Sequence, residues 1–233
     1  MELPILIIQQ VEYEPAALIE DVIHSLGRET KIIMAMDELV PQALSAYSGL
    51  IIMGGHISAN DEHLEFVAKQ IRLLKWCIKY DYPVLGICLG AQMLAKAAGG
   101  EIMISPLREL GWYPLRPTFF AQGDPLFGAI LPHKTQVLQW HGETFSLPAS
   151  ATLLATCPDV INQAFRIKSR LYGLQFHTEM TEDLIYSWIE NGTSETAYLG
   201  ESGVKQLLKN VPRYVPAANS FCKNMTEAWT KLL

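Results

Sequence analysis

Cys88 stands between two glycines, Gly86 and Gly90, at the end of the apolar run Val84-Leu85-Gly86-Ile87. A thiol so placed has the layout of a nucleophile elbow, in which a strand turns sharply into a helix and lifts a side chain into a cleft. The glycines suit that geometry, because a chain reversing this tightly leaves no room for Cβ atoms. At a helix start the unpaired amides and the helix dipole favour a thiolate, and the N–H of Leu89 can face a developing oxyanion. A second apolar run, Leu171 to Phe176, delivers His177 and, two residues on, Glu179. His177 can take the thiol proton through one ring nitrogen while Glu179 accepts from the other, the division of labour of acyl-transfer sites. Residues i and i+2 of an extended chain share a face, so both can enter one cleft.

Taken singly, these residues have plainer readings. A cysteine in an apolar segment is ordinarily an inert small hydrophobe, which is the reading for Cys77, Cys157 and Cys222. Only Cys88 has the flanking glycines and a later His-x-Glu. The four cysteines show no paired metal spacing, and His56, Asp61 and His63 sit irregularly in a loop without a fourth partner. No metal or other cofactor is therefore expected. Gly54-Gly55, not followed by Gly-Lys-Ser/Thr, is not a phosphate-binding loop. His141 can belong to a strand end that shapes a pocket or to a simple turn.

The elements that must position these groups alternate through the first half of the chain. Apolar runs at Ile5 to Ile8, Lys31 to Ala35, Leu50 to Met53 and Val84 to Ile87 predict strands. Helical periodicity falls at about 15–26, 62–80 and 89–98. This order predicts an α/β fold, a mostly parallel, doubly wound sheet of flavodoxin-like three-layer type, whose sites gather at the carboxyl ends of strands. Gly54-Gly55 and Cys88 both fall at such ends. From Glu101 onward strands crowd together, at Ile102 to Ile104, Gly111 to Arg116, Gln136 to Trp140, Thr152 to Thr156, Asn162 to Ile167 and Tyr172 to Phe176. They predict hairpins and an antiparallel section that returns to place His177. A helical tail follows. Thr181 caps a helix to about Glu190 that stops at Asn191-Gly192, Ser202 caps one to Asn210, and Pro216 opens the last. The tail's amphipathic pattern, with Glu195, Lys205 and Arg213 among Leu199, Leu207 and Leu208, predicts a cover over the sheet rather than a docking face.

Composition limits the function classes. The chain has 233 residues, 49% hydrophobic, enough for one substantial core and hence a single domain over 1–233. A formal charge of −6 offers no electrostatic footprint for nucleic acid. No segment reads as an export signal or membrane span, so a cytoplasmic protein with reduced thiols is expected.

Three motifs together, Gly-Ile-Cys-Leu-Gly-Ala-Gln at 86–92, Gln-Phe-His-Thr-Glu at 175–179 and Met53-Gly54-Gly55, resemble the class I, or triad, glutamine amidotransferase domain. Glu109-Leu110-Gly111-Trp112-Tyr113-Pro114 and Gln139-Trp140-His141-Gly142-Glu143 are similar to the GMP synthase-like branch. The resemblance covers residues 1 to about 190. It implies that Cys88 attacks the γ-amide of glutamine, with His177 as acid and base and Glu179 as its orienter. It further implies an oxyanion hole from the N–H groups of Gly55 and Leu89, and substrate held by Gly54, Gln92 and the backbone of Trp140, His141 and Gly142. The family often has proline where this chain has His56 and Thr178. The implied partners are glutamine or a γ-glutamyl small molecule and a separate ammonia-accepting synthetase, since the residues after Glu179 are too few for such a domain. A γ-glutamyl peptidase or transferase, and a noncatalytic module of the same fold, are the alternatives.

Overall fold

A computed structural model describes residues 2–36, 40–128 and 135–233; Met1, with which the first apolar run opens, lies outside them. Nine strands form one sheet in the order β2-β1-β3-β4-β9-β8-β7-β5-β6. The parallel half consists of β1 (Ile5–Gln9), β2 (Thr30–Met34), β3 (Gly49–Ile52), β4 (Val84–Ile87) and β9 (Leu171–Leu174). Every residue of β1, β3, β4 and β9 is buried, the pattern of strands covered on both faces. The order 2-1-3-4 followed by a fifth parallel strand is the flavodoxin-like one, and its direction of winding reverses between β1 and β3. Crevices for ligands open at such a reversal, outside the carboxyl ends of the strands.

Helices cover both faces. Against one pack α2 (Glu65–Tyr80) and α3 (Leu89–Ala97), through residues such as Val67, Ile71 and Leu74 at helical spacing. Against the other pack α1 (Leu18–Ser25) and the end of α5 (Thr193–Thr230), whose Phe221, Cys222, Met225 and Trp229 are buried. The tail is thus a cover over the back of the sheet, as its amphipathic pattern predicts.

The antiparallel half contains β8 (Ala164–Ile167), β7 (Ala151–Thr156), β5 (Ile102–Pro117) and β6 (Thr135–Phe145). Two expected strands, Ile102 to Ile104 and Gly111 to Arg116, prove to be one. β5 runs through both with a register shift between Ile104 and Glu109 and so reads as two pieces in sequence.

The tail departs from expectation in a second way. Thr181 does cap α4 (Glu182–Asn191), accepting from Leu184 N–H at 3.1 Å, and Gly192 follows its last residue. No break separates Asn210 from Pro216, however, and Pro216 does not open a helix. The interruption lies at Gly200 (φ 63°, ψ 175°), and the helix continues through both Pro212 and Pro216. Proline removes one backbone hydrogen bond and ordinarily breaks a helix. These two lie four residues apart on one exposed stripe, alongside the buried stripe of Val211 and Val215. The buried face supplies the packing that holds the helix together.

Candidate functional site

β3, β4 and β9 are neighbours in register, Ile52 beside Gly86 and Ile87 beside Leu174, so the segments that leave their carboxyl ends emerge side by side. From β3 comes Gly54-Gly55, from β4 Cys88 and from β9 His177 and Glu179. Cys88 has φ 50° and ψ −106°, a strained conformation for a residue with a side chain, and its N–H is anchored to Leu174 O at 2.7 Å. A Cβ on Gly86 would come within 2.6 Å of the backbone of Gly90, and one on Gly90 would run into the carbonyl oxygen of Ile52. The turn is therefore open only to glycine at both positions.

His177 and Glu179 lie beyond the last ladder residue of β9 instead of within it, and His177 N–H is held by Leu138 O of β6 at 2.9 Å. Their side chains still meet, with His177 Nδ1 to Glu179 Oε1 at 2.7 Å. The second carboxylate oxygen of Glu179 accepts the Thr178 N–H at 2.9 Å. A proline at 178 has no N–H to give, so this departure from the usual family pattern adds a restraint on the carboxylate. Trp188 of α4 meets the His177 ring edge-on, with centroids 4.6 Å apart, and its Nε1–H donates to Tyr13 O at 2.8 Å.

Burial alone would push the His177 imidazolium down. The carboxylate of Glu179 and the thiol of Cys88 outweigh it and hold the ring well above the usual histidine range. The other three cysteines differ, since burial pushes the Cys77, Cys157 and Cys222 thiols up to about 12. Each is an inert core residue, as expected.

Cys88 opens into a cavity of about 520 Å³ whose lining includes Gly55, Gln92, Trp140, His141 and Gly142. Among the described residues no hydrogen bond occupies the N–H of Gly55 or of Leu89, so both remain available as donors. The carbonyl of Trp140 is 4.0 Å from Cys88 Sγ. Gln92 spends its amide nitrogen on Glu143 O and Gln175 Oε1, which leaves Oε1 as its free acceptor toward the cavity. A Cβ at Gly54 would lie 2.8 Å from Glu14 Oε2 and 3.1 Å from His177 Cε1, so a side chain there would displace the Glu14 carboxyl and crowd the His177 ring.

His141 sits inside β6, neither at a strand end nor in a turn. Its Nδ1 faces Glu143 O at 3.0 Å, and Nε2 faces Glu109 Oε2 and Gln139 Oε1 at 3.0 and 3.1 Å. Gln163 closes this buried network with bonds to Gln139 and Glu109. The ring is thus committed to structure, and only the backbone of this stretch is left to face a ligand. His56, Asp61 and His63 gather no metal cluster, and none occurs elsewhere among the described residues.

Five lining residues were not legible from spacing: Tyr13, Glu14, Trp188 and the pair Arg108–Glu195, joined at 2.8 Å between β5 and α5. One signal existed for Tyr13 and Glu14, which follow the carboxyl end of β1 at the reversal point of the sheet. Trp188 and Glu195 are brought in by the tail, and nothing local marks them.

A family model described as glutamine amidotransferase class-I matches residues 15–192. The glutamine-hydrolyzing GMP synthase of Cytophaga hutchinsonii is 33% identical over 146 residues, 62% of this chain and 27% of that protein. The chain therefore spans about a quarter of the length of the first curated relatives it matches. A glutamine amidotransferase from Thermotoga maritima superposes with a TM-score of 0.88 at 28% identity, covering 99% of each chain. One from Methylobacillus flagellatus gives 0.90 at 26% identity, covering 100% of this chain and 96% of that one.

Proposed function

Because the chain belongs to the class I glutamine amidotransferase family, we propose that it hydrolyses the γ-amide of glutamine through a thioester on Cys88. The observation that carries this reading is the convergence of a strained, cavity-facing Cys88 with a histidine whose far nitrogen is fixed by Glu179. Cys88 Sγ, its proton passed to His177, attacks the amide carbon, and the carbonyl pair moves onto oxygen to be met by the N–H groups of Gly55 and Leu89. The intermediate collapses as the C–N bond breaks and the nitrogen takes the proton from His177, which leaves ammonia and a γ-glutamyl thioester. Water then gives a proton to His177 and attacks the thioester. Glutamate departs and the thiol is restored.

Glu179→Gln is expected to retain about a hundredfold more turnover than Cys88→Ala, because the orienting member of such a triad is the least costly to lose. The amide can keep the Thr178 N–H bond but not both bonds of the carboxylate. A steady-state comparison of the two variants checks the order, and equal losses would deny Glu179 a purely orienting role.

We assign the use of ammonia to a synthetase unit outside these 233 residues, by analogy with the GMP synthases of which this chain matches one part. Four free, buried cysteines favour a cytoplasmic setting, and no helix among the described residues is long and apolar enough to cross a membrane. One observation favours a second reading: the cavity is sized for ligands larger than a single amino acid. That room would suit a γ-glutamyl peptide and the same thioester chemistry. The noncatalytic alternative has nothing to recommend it beside an assembled triad.

The test is ammonia and glutamate release by the purified chain from glutamine and from γ-glutamyl dipeptides. Turnover of glutamine well below the tens per second of a matched enzyme, rising with a synthetase partner, is the expected result. Faster cleavage of the dipeptides would favour the second reading, and inactivity on both would defeat the two together.

A further inference from the structure

Glu14 occupies a place where a carboxyl group is costly. It lies on the segment leaving β1, is 9% exposed, and lines the cavity beside Cys88. Among the described residues neither of its oxygens has a hydrogen-bond or ion-pair partner. Its oxygens are not sealed off, so they open onto the cavity, where a ligand N–H can supply the partner the protein does not.

Glu14 Oε2 lies 2.8 Å from the point where a Cβ on Gly54 would stand, and that point is also 3.1 Å from His177 Cε1 and 3.5 Å from Cys88 Cβ. The carboxyl, the corner of the imidazole between its two nitrogens and the base of the Cys88 side chain thus border one small space above Gly54. One of these nitrogens, Nδ1, is spent on Glu179. The other serves Cys88 and, in the reaction above, protonates the departing nitrogen.

Resting on the glutamine-hydrolysis reading, we propose that Glu14 is a further catalytic residue, whose carboxyl accepts an N–H bond from the γ-amide nitrogen and holds the ammonia as it leaves. The balance of the reaction is unchanged. His177 still gives the proton as the C–N bond breaks, and Glu14 only accepts a hydrogen bond, which a carboxyl oxygen does in either protonation state. Glu14 thereby orients the amide nitrogen toward His177 before bond cleavage.

The ionisable groups facing Glu14 are His177, Glu179, Glu195 and Tyr13. Burial, offset in part by His177, pushes its carboxyl up to about 7. Because the folded value is raised, the stability tied to this group is complete below the ordinary carboxylate range. It is lost as pH rises through 7. Variants without the charge should therefore melt at or above the wild-type temperature at pH 8, with no advantage at pH 5.

The decisive experiment compares kcat/KM on glutamine with kcat/KM on glutamate γ-methyl ester, whose γ leaving group carries no N–H while its α-amino group is the same, for wild type, Glu14→Met and Glu14→Gln. Glu14→Met should lose about ten- to a hundredfold on glutamine, the worth of a hydrogen bond to a charged group. It should stay within about threefold on the ester, and Glu14→Gln, which keeps an acceptor oxygen, should fall between on glutamine. Equal losses on both substrates would overturn the proposal and mark Glu14 as a reader of the α-amino group or as structural. No loss on glutamine would overturn it too. A lowered melting temperature at pH 8 would count for the structural role. Wild type inactive on both substrates, with Cys88 unlabelled by a glutamine-like electrophile, would remove the glutamine reading itself and this proposal with it.

Discussion

Cys88→Ala is expected to lose at least roughly ten-thousandfold in glutamine turnover, the scale seen when the nucleophile of a triad is removed and only binding and oxyanion donors remain. The argument rests on how differently this thiol is placed from the other three. Cys88 faces the cavity and sits next to a histidine that is itself fixed by a carboxylate. Cys77, Cys157 and Cys222 are buried away from the cavity, and burial keeps them protonated through the working pH range. A glutamine-like electrophile should accordingly label Cys88 alone. Peptide mapping that put the label on any of the other three, or an alanine variant with undiminished turnover, would sink the assignment.

Much of this was legible in the sequence because it depends on local rules. The three fully buried parallel strands of the first half, β1, β3 and β4, show as continuous apolar runs, and the glycines around Cys88 announce the tight turn from strand to helix. What sequence could not supply was the meeting of distant segments. Trp188 touches the ring of His177 from α4 and bonds to Tyr13 on the opposite side of the molecule's chain order. Glu195 closes a wall of the cavity from a tail that periodicity marks only as a cover. Glu14 falls in a segment whose composition is that of any polar loop. In each case tertiary packing decides which side chain reaches the cavity, and a one-dimensional pattern has no term for it.

Misreadings in the second half have a common physical origin. Proline at 216 reads as a helix start, yet Pro212 and Pro216 lie within α5. Local propensity lost to the burial of Leu207, Val211, Val215 and Phe221 along the helix's packed side. Similarly, the break in apolar pattern between Ile104 and Gly111 is a register shift within β5, paired to β6 on both sides of it. The same pairing puts Glu109 across from His141, so the two segments that resemble the GMP synthase-like branch prove to be strand partners joined by a buried polar network.

Gly90→Ala should be the most damaging single methyl group that can be added near the site. Its Cβ would collide with the carbonyl oxygen of Ile52, a backbone atom in the fully buried β3 that cannot swing aside as a flexible side chain could. Relief requires α3 or β3 to move, and either shift disturbs the Cys88 turn and the Gly54-Gly55 segment together. A cost of about 3 kcal/mol or more is expected, which for a chain of this size is a fall in melting temperature of roughly 6–12 °C. Gly142→Ala is the control. It adds a methyl group within the cavity itself, but with no neighbour closer than 3.6 Å, the side chain of Arg108. Stability should then hold within about 0.5 kcal/mol. Thermal unfolding of the two variants checks the contrast. Should Gly90→Ala melt with the wild type, the close approach of α3 to β3 would not be what sets the elbow, and the strain at Cys88 would need another source.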